Sequence, residues 1–155
     1  MKNLKELYSK KDLNIMLAAE KGRLPGKNRV EELISFAEKT GVKKIGIANC
    51  ISLQKETNDL ISRLNERFDV YSVDCKIGRV EGKEMLNDET VKGLSCNPSA
   101  QADYLAENKT ELNVAFGLCV GHDIIFNTKS TAPVTTLLVK DRQHKHNPYK
   151  EFIKE

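Results

Sequence analysis

The stretch LNVAFGLCVGHD, Leu112 to Asp123, constrains this chain more than any other. Leu112, Val114, Ala115, Phe116 and Leu118 read as a short buried strand that ends in Cys119. Val120-Gly121 then turns the chain into His122 and Asp123. In an open α/β sheet, ligands collect beyond the carboxyl ends of parallel strands. A strand that delivers a thiol, an imidazole and a carboxylate to that end has the layout of a site.

The remaining elements fit such a sheet. KKIGIANC (Lys43 to Cys50) and DVYSVDC (Asp69 to Cys75) read as two more strands. Between them a helix is predicted from about Ser52 to Arg67, with Leu53, Leu60, Ile61 and Leu64 facing inward. Strand, helix, strand at this spacing implies a parallel pair joined by a right-handed crossover. Asn97-Pro98 starts a helix that runs to Glu107, since Asn caps well and Pro suits the first helical position. A short helix follows from about His122 to Asn127, then a last strand from Val134 to Lys140 introduced by Pro133, and a final turn from Pro148 to Ile153. Lys76 to Ser95 has two glycines and no clear period, so it reads as a loop with at most one helical turn. Loops of that length are often lids or binding segments.

Ahead of the first strand, residues 3 to 22 look helical, with Leu4, Leu7, Tyr8, Leu13, Met16 and Leu17 near helical spacing. This helix is expected to pack on the sheet or, alternatively, on a partner. Gly22, Pro25 and Gly26 end it; Asn28 with Glu31 then caps a helix carrying Val30, Leu33, Ile34 and Ala37 that stops at Gly41. The expected fold is a three-layer, Rossmann-like α/β domain with a mainly parallel sheet of about four strands. Residues 1–155 read as one domain, with 1–27 a helical extension and 28–155 the core.

Composition narrows the function. Aromatic residues make up 6% of the chain and tryptophan is absent, which argues against stacking platforms for single-stranded nucleic acid. The net charge of +3 comes from lysines alternating with glutamates, so no basic stripe for a phosphate backbone is formed. The basic tail KDRQHKHNPYK reads as a solvated terminus. The N-terminus has no apolar run of signal-peptide length, and no run approaches a membrane span. A cytoplasmic location is therefore expected, where cysteines stay reduced as free thiols or ligands. GRLPGKN lacks the spacing and the Ser or Thr of a phosphate loop, and no GxGxxG or GxSxG motif is present.

Cys50, Cys75 and Cys119 each end a predicted strand, and Cys96 sits just before the Asn97-Pro98 helix start. All four thus map to one edge of the sheet. Thiolates near helix N-termini are stabilised by unpaired N–H groups. Four thiols favour zinc or an iron–sulfur cluster over hard cations, with His122 as a fifth candidate ligand. No Cys-x-x-Cys pair exists, so any such site is assembled by the tertiary fold. The bland alternative for each cysteine is a small buried hydrophobe. Cys119 with His122 as base, or Cys96, can alternatively act as a nucleophile. Asn97, Gln101, Asp141 and Arg142 are candidate contacts for a small molecule; a surface ion pair is the plainer reading of the last two. Asp123 can orient His122 or simply favour the helix start, and His144 and His146 read as exposed tail residues.

The phrases KKIGIANCISL, VYSVDCKIG, CNPSAQADYLAE, LNVAFGLCVGHDIIF, STAPVTTLLVKDR and HNP, in that order, resemble domain-of-unknown-function family 1847, uncharacterised prokaryotic proteins predicted to bind metal. The resemblance runs from about Asn28 to Pro148. The residues matching its pattern that carry polar or thiol chemistry are Cys50, Cys75, Cys96, Asn97, Gln101, Cys119, His122, Asp123, Lys140, Asp141, Arg142, His146 and Asn147. The resemblance implies a metal site in the α/β core. Family members often carry a further cysteine-rich segment at the N-terminus, whereas no cysteine precedes Cys50 here. Only the core site carries over. Oligomeric state, substrate and reaction are not legible.

Overall fold

The structure, a computed structural model, describes residues 3–23 and 25–153; Met1 and Lys2 of the charged N-terminus, Leu24 of GRLPGKN, and Lys154 and Glu155 lie outside that description. The chain divides into two compact units, Met1–Val42 and Lys43–Glu155.

In the first unit a 3-10 turn, Leu4–Leu7, precedes helix α1, Lys10–Gly22, and helix α2, Arg29–Thr40. The uninterrupted helix expected over residues 3–22 breaks at Ser9. Ser9 and Asp12 form a reciprocal capping box, which satisfies two helix-start donors and so starts a new helix there. Asn28 and Glu31 form the predicted box on α2, which ends on Gly41 in the left-handed conformation (φ 73°). α1 and α2 pack on one another. The inward face of α1 is not the expected one: Ala18 and Gly22 are buried, while Leu4, Leu7, Tyr8, Leu13, Met16 and Leu17 are exposed. The contact is close: a Cβ on Gly22 would stand in ordinary van der Waals contact, 3.5 Å, with the backbone of Phe36.

The second unit is built on strands β1 (Lys44–Asn49), β2 (Asp69–Asp74), β3 (Leu112–Leu118) and β4 (Val134–Val139). All pair in parallel, in the order β2-β1-β3-β4. Helices α3 (Gln54–Leu64), α5 (Pro98–Glu107) and α6 (His122–Lys129) flank the sheet to give the three-layer α/β fold. The predicted 76–95 loop carries one short helix, α4, Gly82–Leu86. The two central strands are buried along their length (Lys44 alone is half-buried), as a parallel sheet covered on both faces requires. Ala48 and Ala115 pack with Ala102 and Leu105 of α5 and Phe126 of α6. Ile45 and Ile47, alternate along β1, project to the opposite face. No helix among the described residues is long and apolar enough to cross a membrane.

Two glycines allow close approach. A Cβ at Gly46 would run into the Oδ1 of Asn113 and into Leu105. Asn113 is itself fully engaged: Thr110 donates to its Oδ1 at 2.7 Å, and its Nδ2 donates to Ser130 at 2.7 Å. Gly117 sits where the β3–β4 register shifts between Phe116 and Leu118, with φ 69°, and a Cβ there would overlap the Leu53 side chain. Such a bulge bends the strand end beside it. Gly117→Ala should therefore lower stability by about 3 kcal/mol, combining left-handed strain with overpacking. Gly41→Ala, left-handed but with open space around it, should cost about 1 kcal/mol. Urea unfolding of both variants checks this; equal losses would show that the Leu53 contact is not the constraint.

Candidate thiol site at the carboxyl edge of the sheet

β1 runs to β2 on one side, and the chain then crosses to β3 on the other. Strand order therefore reverses between β1 and β3, which is where open α/β sheets place their ligands. The expected strand ends are each one residue shorter than predicted, so Cys50, Cys75 and Cys119 stand just past β1, β2 and β3. Asn49 is level with Asp74 on one side and Phe116 on the other. Cys50 is consequently abreast of Cys75, and its N–H continues the ladder by donating to the Phe116 carbonyl at 3.1 Å. Cys119 lies two positions further along, beyond the bend at Gly117.

The fourth thiol joins from α5. The N–H of Asn97 donates to the Cys75 carbonyl at 2.8 Å, and the Cys96 Sγ stands 3.7 Å from the Cys75 Sγ. Asn97 accepts from the Ala100 N–H as the helix cap. Gln101, one turn on, is buried and its amide nitrogen donates to the carbonyls of Asn49 (3.1 Å) and Val73 (2.9 Å). It ties α5 to the ends of both strands that carry Cys50 and Cys75. The Oδ1 of Asn49 and the Oε1 of Gln101 are buried with no hydrogen-bond partner among the described residues.

Each outward-facing thiol has a cation in reach. Lys76 Nζ lies 3.4 Å from the Cys96 Sγ and also donates to the Leu94 carbonyl. Lys140 Nζ donates to the Ser52 hydroxyl at 2.8 Å, which is 3.3 Å from the Cys50 Sγ. Arg142 Nη2 reaches the Cys119 Sγ at 3.4 Å. The loop after β4 is folded so as to present these last two. Asp141 Oδ1 accepts from the N–H groups of Gln143 and His144, and the Asp141 carbonyl accepts from His146 N–H. Lys145 and His146 take up left-handed φ values, 52° and 66°, to close it.

The environments separate the thiols electrostatically. Burial pushes Cys50 up, but the hydroxyl and N–H of Ser52 and the ammonium of Lys140 outweigh it and hold this thiol below its ordinary value. Burial pushes Cys75 up to about 12; the Ile51 N–H opposes this, while the neighbouring Cys96 and Cys50 thiols add to it.

The structure thus gathers the four sequence-predicted cysteines on one edge, with Cys75 and Cys96 in contact. Among the described residues no group of three or more His, Cys, Asp and Glu side chains is arranged to hold a metal ion. His122 opens α6 and its N–H donates to the Cys119 carbonyl, but its ring makes no hydrogen bond to that sulfur. Asp123 accepts from the Ile124 N–H instead of orienting His122. Asn97, Gln101 and Asp141 spend polar atoms on backbone groups, and Arg142 is turned to Cys119. His144 pairs with Glu151 at 2.9 Å, and His146 Nδ1 accepts from the Asp141 N–H at 3.2 Å. Neither His144 nor His146 is fully exposed, as tail residues would be. Lys76 and Ser52 escaped the sequence reading. Lys76 adjoins Cys75, yet a single lysine on a lysine-rich chain carries no signal of its own.

A doubly wound parallel α/β protein with strand-end thiols at its switch point is the class that these features define. The chain belongs to the family described as protein of unknown function (DUF1847), whose profile matches residues 1–137. The match starts at residue 1 instead of near Asn28, and it stops short of Lys140, Asp141 and Arg142. The chain is 45% identical over 125 residues to Uncharacterized protein MJ0455 of Methanocaldococcus jannaschii, covering 78% of this chain and 64% of that protein. It spans under two thirds of that relative's length. No solved structure matches the chain.

Two outcomes follow from the electrostatics of the metal-free protein. Iodoacetamide at neutral pH should alkylate Cys50 well before Cys75, and Ser52→Ala or Lys140→Met should slow Cys50 several-fold, as peptide mass mapping will show. Cys75 keeps its proton in the fold up to about 12 while the unfolded thiol loses it near 9.0. Its contribution is therefore fully present below the unfolded value. It is lost as pH rises towards the folded one, at up to about 1.4 kcal/mol per pH unit. Urea unfolding at pH 8, 9 and 10 should show a fall in stability that Cys75→Ser abolishes.

Proposed function

We propose that the thiol edge is a soft-metal centre, holding zinc or an iron–sulfur cluster in a cytoplasmic protein. One observation carries this reading: sheet order β2-β1-β3 brings the cysteines that follow three strand ends to one edge, and the fourth contacts one of them. The donor chemistry agrees, because thiolates select such metals over hard cations. Lys76, Lys140 and Arg142 also agree, since a metal bound by four thiolates is strongly anionic and cations around it lower that charge. Cys75 and Cys96 form the inner pair of ligands. Cys50 and Cys119 complete the set by turning from Ser52 and Arg142 towards that pair, with His122, at the start of α6, as a fifth candidate donor.

A second reading, in which Cys119 is a nucleophile, rests on Arg142, whose guanidinium stabilises a thiolate at that sulfur. A thiol-specific reagent would then label Cys119 far ahead of the other three.

The test of the metal reading is elemental analysis and absorbance of protein purified without oxygen. Stoichiometric zinc, or iron with sulfide-to-iron absorbance, is expected, with loss on Cys75→Ser and on Cys96→Ser. Metal-free protein that takes up neither metal on reconstitution, with all four thiols freely titratable, would overturn it.

A further inference from the structure

The segment from Cys75 to Cys96 is an excursion whose neck is pinned shut. Ser95 N–H donates to the Val80 carbonyl at 2.8 Å, Gly82 N–H to Gly93 at 2.7 Å, and Asn97 N–H to Cys75 at 2.8 Å. Lys76 adds a side-chain clasp to the Leu94 carbonyl at 2.6 Å. These bonds hold the two cysteine backbones together independently of the thiols. The sulfurs are already 3.7 Å apart, against about 2.05 Å in a disulfide bond. The two thiols are unlike. Cys75 is 2% exposed, while Cys96 is half-buried, opens to solvent at the helix start and has Lys76 Nζ 3.4 Å away.

We propose that Cys96 and Cys75 form a dithiol–disulfide couple that exchanges with low-molecular-weight disulfides, Cys96 attacking and Cys75 resolving. The Cys96 thiolate attacks one sulfur of the small disulfide, and the first small thiolate leaves. The Cys75 thiol gives its proton to the first released small thiolate as its sulfur attacks the Cys96 sulfur of the mixed disulfide, and the second small thiolate leaves. The two protons of the cysteine thiols end on the two released thiols. The cysteine pair loses two electrons and the small disulfide gains them. Lys76 faces the sulfur that carries negative charge as the attack begins. Cys75 is shielded from solvent and lies 3.7 Å from the Cys96 sulfur, so the mixed disulfide resolves internally.

This inference goes beyond the metal reading and needs no bound metal. Reduced, chelator-treated protein is exposed to oxidised glutathione without oxygen and then mapped by mass spectrometry. Loss of two of the four titratable thiols is expected, with a mass lower by two hydrogens and a single Cys75–Cys96 cross-link. The Cys50→Ser/Cys119→Ser double variant should do the same, although it lacks two of the proposed metal ligands. Cys75→Ser should stop at a glutathione adduct on Cys96. Four remaining thiols, a cross-link through Cys50 or Cys119, or a lasting adduct on wild-type Cys96 would overturn the couple. A protein that forms the cross-link yet never takes up metal would overturn only the metal reading. One that takes up metal but never forms the cross-link would overturn only this inference.

Discussion

Parallel pairing of β1 with both β2 and β3 is the constraint on which the thiol edge depends. Parallel strands all point the same way, so their carboxyl ends share one side of the sheet. The register then decides which residues become neighbours. Asn49 level with Asp74 puts Cys50 beside Cys75, although the α3 crossover separates these two cysteines along the chain. A slip of a single residue would send every side chain of the strand to the opposite face. The sulfurs are where they are because the ladder is.

Buried polar groups brace that ladder alongside the apolar core. Gln101 reaches from α5 to two strand-end carbonyls, and Asn113 links the loop before β3 to the turn before β4. Groups of this kind stabilise little in net terms but cost about 1–3 kcal/mol when left unpaired. The same rule makes the unpartnered oxygens of Asn49 and Gln101 conspicuous, as both lie beside strands that end in thiols. Gly46 and Gly117 serve this scaffold from below, one admitting the Asn113 side chain and the other a leucine.

Around the thiols, charge is arranged from three separate parts of the chain. Lys76 follows β2, Lys140 and Arg142 follow β4, and Ser52 relays Lys140 to Cys50. The Asp141 turn is the device that aims the last two, with two consecutive residues in the left-handed region to close it. Backbone strain of that sort persists only where surrounding contacts over-determine it. Here those contacts are the hydrogen bonds from Gln143, His144 and His146 back to Asp141.

Much of this was legible in the residues alone. Val-, Ile- and Ala-rich runs marked β1 and β3, Asn97-Pro98 marked the start of α5, and Asn28 with Glu31 marked α2, because caps and buried strands are local chemistry. That cysteines sit at the ends of three strands, though each lies one residue past its strand, could be read the same way. Ser9 and Asp12 carried a readable cap too, yet the apolar spacing across it suggested one long helix. What no local pattern contains is the neighbour relation: that Cys96 contacts Cys75 and not Cys119, that Arg142 meets a sulfur, and that Gln101 is a brace. Those depend on strand order and register, which arise from packing between segments far apart along the chain. Sequence determined the elements and their ends; the tertiary structure alone decided which of those ends meet.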